Sequence, residues 1–227
     1  PQGVTLLREL LASGDGFDAI LLGFKPQQLA EAAPTIAPLV GATSVVLSIL
    51  AGVDVATLRR RFPQAGGVVR VMPNLSAALG KSPIGLVGDV NTEQRALTDR
   101  LMTPLGQGEW LADEGLMDAV TALAGSGPAF IYRVIDALAQ GGAALGLPRE
   151  QADRLALAMV DGAAALAAQA PVSPGELARR VASPGGTTQK GLDVLDADAS
   201  LARLMEATLR AARDRSAEMA DEARAAG

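Results

Sequence analysis

The first half of the chain alternates short apolar runs with amphipathic stretches. Runs rich in Val, Ile and Leu, bounded by Gly, Pro or Ser, predict buried strands. They cover residues 17–24, 44–50, 67–72 and 83–88, followed by a shorter extended piece at 109–112. The spacing of the segments around them predicts helices over residues 4–12, 26–40, 54–61 and 91–104. This alternation favours a parallel α/β sheet with right-handed crossovers.

The second half of the chain has a different pattern. From about Leu116 onward the strand signals vanish and Ala-rich amphipathic helices follow, predicted over residues 128–145, 149–168 and around 201–212. Gly146 is expected to end the first of them, because glycine is common just past a helix C-terminus. We therefore predict an α/β domain over residues 1–114 and an all-α domain over residues 115–227.

The predicted helices of the second half carry few large side chains, so an isolated bundle would bury a thin core. Gly141, Gly142 and Gly162 lie inside them, where each costs about 1 kcal/mol relative to Ala. Close approach of another helix would offset that cost. We therefore predict an obligate, intertwined dimer, with ordinary packing against the first domain as the alternative.

Composition and charge exclude several function classes. The formal net charge is −5, and no stretch concentrates Lys and Arg with interleaved aromatic residues, so we expect no nucleic-acid surface. Arg59, Arg60 and Arg61 form the only basic run, which we interpret as a solvated helix end. The sequence contains no span of about 20 apolar residues, so we predict no membrane helix. The absence of cysteine fits a reducing cytosol, and we expect a cytoplasmic protein.

The absence of histidine constrains the chemistry further. A Ser-His-Asp hydrolase or a histidine-based metal site cannot be built, and we predict no metal site. A proton donor must be Thr, Ser, Tyr, Lys, a carboxyl group, water or the substrate itself.

One segment resembles a dinucleotide fingerprint in its letters alone. Residues 14–19 (GDGFDA) match GxGxxA, but they follow a predicted helix and lead into a strand, the reverse of the required context. We interpret them as a turn. A phosphate-cradling strand and glycine loop are therefore expected before Pro1.

Three predicted strands end in polar or proline-containing turns, where open α/β sheets bind ligands. The turns read GFKPQ at residues 23–27, SILAGV at 48–53 and RVMPN at 70–74. A helix start with a solvated Lys25 is the alternative for the first of them. Gly125, Ser126, Gly127 and Pro128 open the first long helix of the second half, where core packing and ligand contact are both open interpretations.

The richest site is SPGGTTQK at residues 183–190. Ser183 begins it, Gly185 and Gly186 free the backbone amides, and Thr187 and Thr188 supply hydroxyls at a predicted helix N-terminus. Such a terminus attracts a carboxylate. A plain helix cap is the alternative, although one threonine would suffice for a cap.

Taken in order, FKPQ, SILAGV, RVMPN, DAVTALAGSGPAF, GLPREQA and VASPGGTTQKGLDVL resemble the pyrroline-5-carboxylate reductase family over essentially the whole chain. The family's first strand, glycine loop and following helix are not matched. The resemblance implies a Rossmann-like domain, incomplete at its N-terminus, and an all-α dimerisation domain whose dimers assemble into larger rings, up to a decamer.

The resemblance also implies NADPH or NADH as cofactor and a small cyclic imine as substrate. It places substrate binding at Ser183, Gly185, Gly186, Thr187 and Thr188, with Thr188 as the catalytic residue facing the ring nitrogen or carboxylate. The cofactor positions that it implies are Phe24, Lys25, Pro26, Ile49, Leu50, Ala51 and Glu114. At two of them, Phe24 and Leu50, the family usually has Val and a small residue.

Two other functions remain as alternatives. A related imine or β-hydroxyacid reductase of the same two-domain build would use a Lys of the helical domain as proton donor, and Lys190 is the only Lys after Lys81. A non-catalytic dimerising module is the second alternative.

Overall fold

The structure is a computed structural model that describes residues 16–225. The predicted helix over residues 4–12 and the first two residues of the predicted turn at 14–19 lie outside this range. The contacts divide the chain into two compact units, the second of which is Gly127–Leu209. The first unit contains the described residues up to Ser126 and those from Arg210 onward. The predicted domain boundary after residue 114 stays a prediction.

The first unit is built on a five-stranded sheet in which the strands follow one another in sequence order. The strands are β1 (Ala19–Leu22), β2 (Val45–Ser48), β3 (Gly67–Met72), β4 (Ser82–Asp89) and β5 (Gly106–Trp110). Each lies within or beside a predicted apolar run, and β3 has the predicted bounds. The interior strand β2, between β1 and β3, is buried along its whole length, as its uninterrupted apolar sequence predicts.

The sheet is mixed, so the prediction of a fully parallel sheet was wrong. Strands β1, β2 and β3 are parallel, but β4 runs antiparallel to β3, and β5 is parallel to β4. The physical reason is the connection between β3 and β4, residues 73–81, which is shorter than the dozen or more residues that a parallel crossover needs. Gly80, at φ +68°, completes the turn that reverses the chain.

Helices cover both faces of the sheet. Along β2, Val46 belongs to one core cluster whereas Val45 and Leu47 belong to the other, because alternate side chains point to opposite faces. The helices of this unit are α1 (Leu29–Ile36), α2 (Val55–Arg61), α3 (Thr92–Met102) and α4 (Met117–Val120). Residues of α1 and α2 pack in the first cluster, and Met102 of α3 packs in the second.

The basic run at the end of α2 is not uniformly solvated, which corrects the interpretation of Arg59. Its guanidinium donates to the carbonyl of Ala65 and to both the carbonyl and the carboxylate of Asp89 in β4. Arg59 therefore ties α2 to the neighbouring strands. Arg60 and Arg61 are exposed, as predicted.

The second unit is helical. Its elements are α5 (Gly127–Ala144), α6 (Arg149–Gln169), α7 (Pro174–Val181), α8 (Thr187–Asp196) and the beginning of α9 (Ser200–Ala225). Gly146 ends α5 as predicted: it has φ +103°, and the amides of residues 146 and 147 donate to the carbonyls of Ala143 and Gly142.

The core of the second unit is thin within one chain. Its buried cluster contains Ala139, Ala152 and Ala156, and several large apolar side chains of α6 are more than half exposed. These are Leu155, Leu157, Met159 and Leu166. Such a surface indicates an interaction face.

Among the described helices, none is by itself both long and apolar enough to cross a membrane. Helices α6 and α7 are long and apolar enough for a membrane span only when the two are counted together, and they are bent by 118° relative to each other.

Candidate functional site

The carboxyl ends of β1 and β2 bring two groups of predicted cofactor residues to one edge of the sheet. Phe24, Lys25 and Pro26 follow β1, and residues 49–51 follow β2. The two ends are adjacent, because Leu22 pairs with Ser48 and the amide of Ile49 donates to the carbonyl of Leu22 at 3.3 Å. In open α/β sheets this edge is where ligands bind.

These residues offer different surfaces to a ligand. Lys25 and Ala51 are exposed, and Ile49 exposes 41% of its surface, so a cation after β1 and an apolar side chain after β2 are both accessible. Leu50 is only 3% exposed and belongs to the core cluster against which Phe24 packs. Leu50 can therefore meet a ligand through its backbone, whereas its side chain fills the core.

Glu114, in the segment that follows β5, contacts the end of the loop between β2 and α2. Its Oε1 accepts hydrogen bonds from the amide of Val55, at the start of α2, at 2.9 Å and from Arg70 of β3 at 2.7 Å. Asp54 caps α2 from within the same loop by accepting from the amide of Thr57. The structure thus places Glu114 beside the loop that carries residues 49–51, and its contact with a cofactor stays a prediction.

The third strand-end turn, after β3, is held by side-chain hydrogen bonds. Asn74 caps the 3₁₀ turn Leu75–Leu79 by accepting from the amide of Ser76, and its own amide group donates to the carbonyl of Ala124. Ala124 lies in a π-helical turn, Thr121–Gly125, directly before the GSGP sequence. Sequence reasoning singled out both segments but did not place them together.

The SPGG sequence of the second unit forms a tight turn between α7 and α8. The amide of Gly186 donates to the carbonyl of Ser183 at 2.9 Å, with Pro184 and Gly185 at the central positions. Gly185 has φ +72°, the value that a type II turn requires at its third residue. A Cβ on Gly186 would lie 2.6 Å from Ser183 Oγ and 3.1 Å from the Ser183 carbonyl oxygen, so a side chain here would require the serine to move.

Helix α8 begins directly at this turn, and no side-chain cap is present at its N-terminus among the described residues. Gly186 is its N-cap and provides no side-chain cap, so the first amides of the helix lack an intrahelical acceptor. Thr187 and Thr188 occupy the first two helical positions, and both are exposed. Amides, hydroxyls and the positive end of the helix dipole therefore converge where a carboxylate is favoured.

The basic residues before this turn are engaged with an acid. Glu176 of α7 accepts hydrogen bonds from Arg180 and Arg179, and these hold the pKa of Glu176 below its ordinary value. Since both guanidinium groups pair with this carboxylate, the amides and hydroxyls of α8 are the donors at the turn itself.

Comparison of the sequence with known proteins matches this chain to an enzyme family. A model of the pyrroline-5-carboxylate reductase dimerisation domain matches residues 114–219. The pyrroline-5-carboxylate reductase of Pseudomonas aeruginosa is 39% identical over 207 residues, which cover 90% of this chain and 76% of that protein. The chain belongs to the pyrroline-5-carboxylate reductase family. The family member of Glycine max is 38% identical over 200 residues, covering 86% of this chain and 72% of that protein.

Solved structures of the pyrroline-5-carboxylate reductase family have the same fold. The Coxiella burnetii enzyme superposes with a TM-score of 0.83 at 31% identity, covering 88% of this chain and 75% of that one. The Plasmodium falciparum enzyme, solved with NADP bound, has a TM-score of 0.72 at 26% identity and covers 89% and 77%. The predicted family, the α/β domain followed by an all-α region, and self-association through that region are confirmed. The individual site residues stay predictions.

Sequence reasoning missed several contacts at these sites. Arg70 was part of a noted motif, but its pairing with Glu114 spans 44 positions and has no local signal. The cap that Asp54 provides was recognisable, because Asp before a helical stretch is a typical N-cap.

Proposed function

We propose that this chain catalyses the reduction of 1-pyrroline-5-carboxylate to L-proline, the last step of proline biosynthesis, with NADPH or NADH as the reductant. The activity is the one for which its relatives are named. The observation that carries the proposal for the site is the uncapped N-terminus of α8, where a Gly-Gly turn presents free amides beside Thr187 and Thr188.

The substrate chemistry agrees with the residues that the chain offers. A protonated cyclic imine is already an electrophile, so no histidine acid and no metal are needed to activate it. The amides and hydroxyls at the start of α8 bind the carboxylate and fix the orientation of the ring. In our proposal the protonated ring nitrogen donates a hydrogen bond to the Thr188 hydroxyl, which orients the imine. After hydride transfer to the carbon the nitrogen is a neutral amine, and the Thr188 hydroxyl relays a proton to it from solvent. Ser183, Gly185 and Gly186 shape the turn that presents these groups.

The carboxyl edge of β1 and β2 fits a nicotinamide dinucleotide. Lys25 supplies an exposed cation for phosphate oxygens, and Phe24 and Pro26 set the turn that presents it. Ile49 offers an apolar side chain to a flat ring, while Leu50 and Ala51 offer backbone groups. Glu114 lies beside the same loop. When bound, the cofactor supplies a hydride for the imine carbon.

The assembly that we propose is an intertwined homodimer, with dimers assembled into larger rings. The exposed apolar residues of α6 support this arrangement, because one chain leaves them without a core. We place the enzyme in the cytoplasm, because a chain without cysteine forms no disulfides and needs no oxidising compartment.

A β-hydroxyacid reductase would need a Lys of the helical domain as proton donor. Lys190, on α8, lies 3.6 Å from Asp193 in an exposed ion pair. Direct comparison of substrates separates the two activities. The full-length protein is assayed with NADPH and with NADH against the cyclic imine and against small keto acids.

We expect proline formation with the imine and little oxidation of the cofactor with keto acids. Fluorescence titration of each reduced dinucleotide, without substrate, measures binding separately. A protein that binds the dinucleotide but leaves the imine unreduced contradicts the proposed reaction. A protein that does not bind either dinucleotide supports the non-catalytic alternative.

A further inference from the structure

Asn74 uses every polar group that it has. Its backbone amide donates to Ser82 Oγ at 2.9 Å, and its carbonyl accepts from the amide of Ala77 at 3.1 Å. Its Oδ1 accepts from both the amide of Ser76, at 2.9 Å, and the Ser76 hydroxyl. Its Nδ2 donates to the carbonyl of Ala124 at 2.8 Å, across 50 positions of sequence. Because the oxygen must face the Ser76 amide, the nitrogen has to face Ala124. The cap of the 3₁₀ turn therefore aims a donor at a second segment of the chain.

The second segment is a backbone irregularity that needs such a donor. The amide of Ser126 donates to the carbonyl of Thr121, five positions back, at 2.8 Å, as in a π-helical turn. Four positions after Ala124 stands Pro128, which has no N–H and cannot give the Ala124 carbonyl its α-helical hydrogen bond. The Asn74 amide supplies a donor to this carbonyl from outside the helix.

The π turn lies against the end of β3. A Cβ on Gly125 would lie 3.7 Å from Met72 Sδ, so Gly125 faces the side chain of the last residue of that strand. This end of β3 shares its edge of the sheet with the ends of β1 and β2, because the three strands are parallel. It is the edge assigned above to the cofactor.

We propose that Asn74 is a positioning residue for the reaction: through its hydrogen bond to Ala124 it holds the backbone of Gly125 and Ser126 at the cofactor edge of the sheet. The inference rests on the proposed function. It favours ligand contact over core packing for the start of the GSGP sequence, because Gly125 and Ser126 follow the carbonyl that Asn74 holds at this edge of the sheet. The segment lines the site through its backbone, and Asn74 itself touches no reacting atom.

The variant Asn74→Asp isolates the Ala124 bond. The carboxylate still accepts from the Ser76 amide, but it places an acceptor where the carbonyl needs a donor. Lowering the pH through the pKa of the new carboxyl restores an O–H that can donate to Ala124. The groups that Asn74 contacts, in Ser76, Ser82 and Ala124, carry no charge, so the introduced carboxyl is the group that titrates among them.

The test compares the full-length wild type, Asn74→Asp and the control Ser76→Ala, which keeps the bond to Ala124. Two quantities are measured from acid to neutral pH: kcat for the imine, and hydrogen exchange of the amides of residues 124–126 without cofactor. For Asn74→Asp we expect kcat at neutral pH to fall about tenfold or more. The ratio of its kcat to that of the wild type rises towards one as the pH falls. At neutral pH the amides of residues 124–126 exchange faster in the variant than in the wild type. Ser76→Ala stays within about twofold of wild type in both quantities.

Several results would overturn the proposal. These are an unchanged kcat in Asn74→Asp, a ratio that does not vary with pH, or unchanged exchange at residues 124–126. If Asn74→Asp fails to fold, Asn74→Ser takes its place, because serine keeps a cap acceptor but is too short to reach Ala124. A wild type that reduces no imine contradicts the proposed function instead, and the exchange measurement still decides whether Asn74 holds the π turn.

Discussion

Arg70 and Glu114 form a half-buried ion pair, with 2.7 Å between Arg70 Nη1 and Glu114 Oε1. The same carboxylate oxygen accepts the amide of Val55 at 2.9 Å. A single acidic side chain therefore connects β3, the start of α2 and the segment that follows β5. Since β2 leads into α2 through residues 49–54, this connection holds one side of the sheet edge at which we propose that the cofactor binds.

Replacing Glu114 with Gln tests this connection. Glutamine keeps an oxygen for the Val55 amide but leaves the Arg70 guanidinium, whose side chain is only 12% exposed, without its counter-charge. We expect the free energy of unfolding to fall by about 1–3 kcal/mol, less than for a fully buried pair. Urea unfolding at neutral pH measures the change.

The matched control for Glu114 is Glu218→Gln, which removes one partner of Arg215 in an exposed pair on α9. Solvent screens that pair, so the control is expected to unfold like the wild type within error. Equal losses in the two variants would show that Glu114 acts as an ordinary surface charge.

Thr188 is expected to affect turnover more than binding. In Thr188→Val the methyl group replaces the hydroxyl at constant shape, so the imine nitrogen loses its proposed hydrogen-bond partner, and kcat should fall about 10²-fold. Thr188→Ser retains the hydroxyl and should retain most of the activity. Steady-state kinetics with the imine measure both variants. If Thr187→Val and Thr188→Val together leave proline formation intact, the substrate site lies elsewhere.

Gly185 is required by the backbone of the SPGG turn. At φ +72° an alanine costs about 1–2 kcal/mol, so in Gly185→Ala the turn is expected to relax and misalign the amides of α8. KM for the imine should rise, while cofactor binding stays unchanged. Gly191→Ala, within the helix that follows the turn, is the control, because a Cβ there meets nothing within 4 Å. A normal KM in Gly185→Ala would contradict this account.

The parts of the molecule that sequence predicted well are those set by local pattern. β3 has its predicted bounds because GVVRVM is flanked by glycine and proline. Gly185 was recognisable because Pro-Gly sets a turn type by itself. Contacts between distant positions, such as Asn74 with Ala124, depend on how the sheet brings segments together and have no local signature. The direction of β4 is an intermediate case, since only the length of residues 73–81 excludes a crossover.

A strained kink joins α8 to α9 and was not predicted. Asp198 and Ala199 both have positive φ, 51° and 54°, where residues other than glycine are disfavoured. Ala199→Gly should therefore stabilise the protein by about 0.5–1 kcal/mol, because it removes this penalty. Thermal unfolding measures the gain. Ala197→Gly, at φ −52°, is the control and should lose stability. A loss in both variants would mean that the kink carries no strain.

Substitutions at two neighbouring glycines of α5 distinguish an effect on folding from an effect on self-association. A Cβ on Gly142 would lie 3.3 Å from Leu147 Cδ1 and 3.5 Å from Ala152 Cβ, so Gly142→Leu should disrupt packing between α5 and α6 at any protein concentration. At Gly141 a Cβ meets nothing within 4 Å of its own chain. If the dimer forms by close helix approach, Gly141→Leu should leave the fold intact but shift the subunits towards monomer by tenfold or more, an effect of about 1.4 kcal/mol. Sedimentation velocity over a range of concentrations measures this shift, and circular dichroism monitors the fold. A Gly141→Leu protein that dimerises like the wild type would place the interface on another face of the helix.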